Sequence, residues 1–94
     1  MARLPFVERA DIPEELQYVW DRNTTDGALP NIFRTMANNP ILWRAYLRLG
    51  NALWTHSGLD VATRELAILR TAILHHSLYE WHQHVHIGRR AGLS

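Results

Sequence analysis

The most constraining feature of this chain is a run of apolar residues that recurs at helical spacing. It begins at Asn39-Pro40, where Asn suits a helix cap and Pro the first helical position, and continues to about His56, before Ser57-Gly58. Leu42, Tyr46, Leu49 and Leu53 form one apolar stripe, and Trp43, Leu47, Gly50 and Trp54 a second beside it. Arg44, Arg48, Asn51 and Thr55 leave only a narrow polar stripe. A surface helix of a monomer needs one apolar stripe, not two. Either one stripe serves the subunit core and the other a partner chain, or this is a central helix covered on both sides.

The rest of the chain follows the same periodicity. No alternation of apolar and polar residues persists beyond four or five positions with β-branched enrichment, so no strand is expected. Asp11-Ile-Pro-Glu14 has a carboxylate at a cap position, Pro in the first turn and Glu at the third position, predicting a short helix that ends near Arg22. Asn23-Thr-Thr-Asp-Gly27 is a loop by composition, and residues 30–37 suit one or two helical turns. Asp60 is placed to cap a helix from Val61 to about His76, whose Leu66-Ala-Ile-Leu69 and Ala72-Ile-Leu74 segments are apolar nearly all round and predict burial. Ser77-Leu-Tyr-Glu80 interrupts it, and a last helix runs to Arg90 or Ala91 with Gly92 as its left-handed stop. The expectation is a single all-α domain over residues 1–94.

Composition narrows the chemistry. The chain has 94 residues, 47% hydrophobic and 20% charged, which suits a globular domain rather than a disordered one. Its core is small, and four Trp, three Tyr and two Phe are a heavy aromatic load that suggests a subunit interface. With no cysteine, disulfides, thiolate metal sites and thiol chemistry are excluded. All ten basic residues are arginine, so lysine Schiff-base chemistry is excluded as well. A net charge of +1 argues against nucleic-acid binding driven by bulk charge, although protonation of all six histidines would raise it to +7. The Trp residues lack the basic–aromatic interleaving of single-strand binders and are assigned to core and interface. No segment is apolar for long enough to span a membrane, and the stretch from Met1 to Arg9 lacks the pattern of a signal peptide. A cytoplasmic protein is the default.

The chemistry-bearing residues lie in the last third. Arg64-Glu65 opens the apolar helix; Ser77-Leu-Tyr-Glu80-Trp-His-Gln-His84 follows; Ala91-Gly92-Leu-Ser94 closes the chain. Glu80 and His84, four apart on a helix, share a face. Each residue also has a purely structural reading. Ser77-x-x-Glu80 is the pattern of a capping box, Glu80–His84 that of a surface helix pair, and Glu65 that of a first-turn carboxylate favoured by the helix dipole. His82 and His86 point together while His84 lies around the axis. Without a cysteine or a His-Glu-x-x-His pattern, no metal site is assigned.

The Arg-Glu pair, the break twelve residues after that Glu, the Tyr-Glu-Trp turn, the His four residues after Glu80 and the Ala-Gly-Leu-Ser end together resemble the carboxymuconolactone decarboxylase superfamily. This superfamily includes the alkylhydroperoxidase D-like proteins. The resemblance covers residues 31–94 loosely and 59–94 closely. It implies an all-α, oligomer-forming subunit of the alkylhydroperoxidase D-like type, assembled as a dimer, trimer or hexamer. In the redox branch the motif is Glu, then Cys-x-x-Cys, then His; here Glu65 and His84 match, while Ser77 and Glu80 stand where the cysteines would be. Neither can replace a thiol, so disulfide-based peroxidase chemistry is excluded.

The cysteine-free branch that remains implies a cofactor-free lyase or isomerase acting on a small carboxylated lactone. Glu65 and His84 would be the acid/base pair and Glu80 their partner. Such chemistry needs an arginine for the substrate carboxylates (Arg64, Arg70, Arg44 and Arg48 are candidates), an apolar wall, and an acid that protonates the dienolate carbon. Glu65 reaches the other two only if its helix packs back against theirs. The rival expectation is a non-catalytic homo-oligomeric scaffold or interaction module in which the same residues cap and pair helices. Because the resemblance implies further helices after Gly-Leu-Ser, the chain is read as a family unit shortened at its C-terminal end.

Overall fold

The computed structural model describes residues 3–94; Met1 and Ala2, which head the N-terminal stretch tested above for a signal peptide, lie outside the described residues. Five α-helices and two 3-10 turns are present, and no named strand occurs among the described residues. None of these helices is long and apolar enough to cross a membrane. The chain divides into two compact units, Met1–His56 and Ser57–Ser94.

The first unit holds 3-10 turns at Arg9–Asp11 and Glu14–Leu16, then α1 (Gln17–Arg22), α2 (Asn31–Met36) and α3 (Pro40–His56). Val7, Ile12, Leu16, Val19, Trp20, Leu29, Ala37, Trp43 and Leu47 form its core, with Phe33 and Met36 packed against it. The extended N-terminal segment is held to α2 by a bond from the Val7 N–H to the Arg34 carbonyl (3.1 Å) and to the turn after α2 by one from Asn38 Nδ2 to the Pro5 carbonyl (2.8 Å). Arg34 also pairs with Glu8 and lies over the Phe6 ring.

Asp11 does not cap the helix that follows it. Its carboxylate accepts from the Glu8 N–H at 3.0 Å, closing the turn that precedes it. The extended Pro13 (ψ 137°) delays the next turn to Glu14, and α1 then ends at Arg22 as expected. The Asn23–Gly27 loop closes as a tight reversal. Thr25 and Ala28 exchange two backbone bonds around Asp26 (φ 53°) and Gly27 (φ 77°), the left-handed pair that a two-residue reversal requires.

Asn39 caps α3 by accepting from the Leu42 N–H (3.2 Å). The two stripes of α3 have different fates. Trp43 and Leu47 are in the core, whereas Leu42, Tyr46, Leu49 and Leu53 are 46–59% exposed. Within its own unit, α3 is covered along one stripe only. Of the four tryptophans, Trp20 and Trp43 are core residues, while Trp54 and Trp81 are exposed.

Arg9 and Asp21 join the start of this unit to α1 through two parallel bonds, Nε to Oδ1 (2.8 Å) and Nη2 to Oδ2 (3.0 Å). Hydrogen bonding from Arg9, assisted by its charge and opposed by desolvation, holds the Asp21 carboxyl below its ordinary value of 3.8. A carboxyl depressed on folding stabilises fully above its unfolded value and loses that contribution as pH falls through the lower folded value. Acid titrations of wild type and Asp21→Asn, followed by circular dichroism, should therefore differ at pH 5 and converge at the acid end. A gap that widens on acidification would refute the linkage.

The second unit is a helical hairpin of α4 (Val61–Leu74) and α5 (Leu78–Arg90). Asp60 caps α4 by accepting from the Thr63 N–H (3.3 Å). The expectation that α4 is buried all round is not met: Glu65, Leu69 and Ala72 are buried, but Leu66, Ile73 and Leu74 are 50–60% exposed. Within this unit α5 is the only neighbouring helix, and one neighbour covers one face.

The joint between the helices is tight. His76 takes φ 53°. The Ser77 N–H bonds back to the Ala72 carbonyl (2.8 Å) and the His76 N–H to that of Ile73 (3.2 Å). These are the two bonds of a Schellman stop, with His in the place usually held by Gly. The same pair recurs after α5, where Gly92 takes φ 105° and the Leu93 N–H reaches the Gly88 carbonyl at 3.0 Å. Gly88 brings the helices together: a Cβ there would lie 3.3 Å from Leu69 Cδ1, 3.1 Å from Leu93 Cδ1 and 3.7 Å from Glu65 Cβ.

Candidate functional site

The close approach at Gly88 brings one turn of α4 against the middle of α5, and the polar residues meet there. Glu65, in the first half of α4, is fully buried. Its Oε2 accepts from His84 Nδ1 at 2.6 Å. An ionised carboxylate only accepts, which assigns the ring hydrogen to Nδ1. The other oxygen, Oε1, is held by Arg64 through Nε and Nη2, both at 3.1 Å. On the far side of the ring, His84 Nε2 stands 3.5 Å from Glu80 Oε2. A carboxylate, an imidazole and a second carboxylate thus lie in series across two helices. Side-chain exposure rises along the series from none at Glu65 to 17% at His84 and 36% at Glu80.

All three sequence candidates are therefore brought together, including the Glu65–His84 contact that required α4 to pack back on α5. The capping-box pattern is only half realised. Ser77 Oγ accepts from the Glu80 N–H (3.3 Å) and caps α5. The reciprocal bond, from the Ser77 N–H to the Glu80 carboxylate, is replaced by the bond to Ala72 in the Schellman stop. Glu80 points to His84 instead.

A groove of about 360 Å³ opens at the joint end of the hairpin, lined by Ala67, Ile68, Thr71, Ala72, His75, Ser77 and Glu80. Its walls are apolar, with hydroxyl, imidazole and carboxylate groups at the edge. Glu80 lines both the groove and the polar series. None of the four candidate arginines lines this groove; Arg64 faces Glu65. The role of Gly88 was missed in the sequence, although a glycine in a helix interior is itself a signal of close approach.

The histidines separate as the helical spacing predicts. His82 and His86 meet edge to face with ring centroids 5.8 Å apart, and His84 faces Glu65. No group of three or more potential metal ligands occurs among the described residues.

The family description that matches this sequence is the carboxymuconolactone decarboxylase family, over residues 40–94. That span starts at the first residue of α3 and takes in the whole hairpin with its polar series. The chain belongs to the carboxymuconolactone decarboxylase family. Comparison with curated proteins finds no match, and neither does comparison with solved structures. Within this family the chain is an all-α member that contains no cysteine.

Proposed function

We propose that this carboxymuconolactone decarboxylase-like chain is a cofactor-free lyase or isomerase for a small carboxylated lactone or similar acid. It works in the cytoplasm as a homo-oligomer and without thiol peroxidase activity. The observation that carries the reading is the graded Glu65–His84–Glu80 series, running from a fully buried carboxylate to one that edges a groove. A surface helix pair has no need of a buried third member.

Glu65 is the positioning residue. It fixes the His84 ring through Nδ1 and leaves Nε2 as the atom that exchanges protons with substrate. The apolar groove wall disfavours a substrate carboxylate placed against it. Loss of that carboxylate as CO2 breaks a C–C bond and leaves its electron pair in a dienolate; protonated His84 delivers the Nε2 proton to the dienolate carbon. Glu80, beside Nε2, returns a proton to the ring from solvent.

The test is turnover of carboxylated lactones by purified wild type, Glu80→Gln and His84→Gln, monitored by release of CO2. Wild type should be active, His84→Gln should lose about 100-fold or more in kcat, and Glu80→Gln should show an altered pH profile. Equal turnover by wild type and His84→Gln would remove the assignment. A folded wild type inert on every such substrate would favour the non-catalytic scaffold.

A further inference from the structure

We propose that His75 binds the carboxylate that the substrate keeps, and so sets which way a ligand lies in the groove. This rests on the proposed reading of the groove as the seat of a small carboxylated acid, and assigns the residue that orients it. The groove holds about 360 Å³, near the lower end for small-molecule sites, which suits a single ring with short substituents. Its lining residues all lie in the second unit.

Charge leaves an anion one place in it. Ala67, Ile68 and Ala72 are apolar, Thr71 and Ser77 offer only hydroxyls, and Glu80 is itself an acid. With no arginine in the lining, His75 is the one lining side chain able to carry a positive charge. An imidazole always has an N–H to donate, and a protonated ring adds its charge to the bond. Whereas His84 is engaged by Glu65, the His75 ring has no hydrogen-bond partner among the described residues, so no internal acceptor competes for its N–H. The two hydroxyls also differ. Thr71 Oγ1 donates its hydrogen to the Ala67 carbonyl (2.8 Å). Ser77 Oγ accepts from the Glu80 N–H (3.3 Å) and keeps its own hydrogen for a ligand. The retained carboxylate therefore finds its donors at the joint, in His75 and Ser77, with the ligand ring on Ala67, Ile68 and Ala72 and its opposite end towards Glu80. His75 helps to stop α4 only through its backbone, by its N–H to the Thr71 carbonyl (3.0 Å), a bond that every side chain but proline preserves.

The probe is a saturated five-membered lactone carrying one ring carboxylate, with its primary amide as the uncharged control. Lacking the conjugation that would stabilise a carbanion, it binds without reacting. In titrations followed by backbone amide NMR shifts, wild type should bind the acid about ten-fold more tightly than the amide. His75→Leu should abolish that preference, and His75→Arg, which restores a cation, should recover it. In turnover, His75→Leu should raise KM about ten-fold and leave kcat within about three-fold, because the bond is made in ground state and transition state alike. A wild type that turns over no lactone, yet loses its preference for the acid on His75→Leu, overturns the lyase reading and supports the assignment. An active enzyme whose preference survives His75→Leu overturns the assignment alone, as does equal binding of acid and amide by wild type. If His75→Leu fails to fold, His75→Gln decides: it keeps an N–H without the charge and should lose most of the preference.

Discussion

His84→Ala is expected to destabilise the α4–α5 hairpin by about 3 kcal/mol, because it strands one oxygen of a buried carboxylate. Glu65 has no solvent exposure, and Oε2 has His84 as its partner at 2.6 Å. Glu80→Ala should cost far less, since that side chain is 36% exposed and its contact with the ring is 3.5 Å long. The decisive comparison is the double variant Glu65→Met/His84→Leu. Replacing both members of a buried pair with apolar groups of similar size is often nearly neutral, but Arg64, 12% exposed, loses Glu65 Oε1 as its partner, so this variant should recover part of the stability lost in His84→Ala while remaining inactive. Hydrogen exchange of α4 and α5 amides measures the loss and the recovery within the hairpin. If the double variant is as unstable as the sum of its single variants, the pair is not coupled in the way the geometry requires.

Gly88→Val should have an effect of similar size through packing alone. The first atom of the new side chain already falls 3.1 Å from Leu93 Cδ1 and 3.3 Å from Leu69 Cδ1, and two further methyl groups must follow it. Overpacking of this kind costs about 1–3 kcal/mol, with the upper end expected because the Leu69 neighbour is buried. Gly88 lies one turn beyond His84, so relief of the clash moves α5 away from α4 and lengthens the Glu65–His84 bond. Amide exchange in the hairpin should accelerate, and turnover should fall although no polar residue has changed. A Gly88→Val chain with wild-type exchange would show that the helices have room to spare.

The parts of this architecture that were legible in the sequence are those decided within a few residues. Asn39, Asp60 and Ser77 cap their helices through bonds to N–H groups three positions along, and Gly92 stops α5 by its own backbone freedom. The parts that were not legible depend on what lies across space. Leu66, Ile73 and Leu74 have the hydropathy of core residues, but α5 covers only the opposite face of α4. Glu80 fits a capping box by spacing, yet the N–H it would cap is consumed by the Ala72 carbonyl. That competition follows from His76 adopting a left-handed conformation, which few residues other than Gly, Asn and Asp advertise. Of the candidate site, the spacing gave Glu80 and His84 a shared face, and the family resemblance gave Glu65. The engagement of Arg64 with Glu65, rather than with an external carboxylate, emerged only from the packed hairpin.

The three-residue joint His75-His76-Ser77 also acts as a phase setter. Each residue added between α4 and α5 would turn the second helix by about 100° about its own axis, carrying His84 off the Glu65 side while leaving both helices intact. The joint thus converts distance along the chain into angle. A single insertion there would dismantle the series of polar groups without touching any of its members.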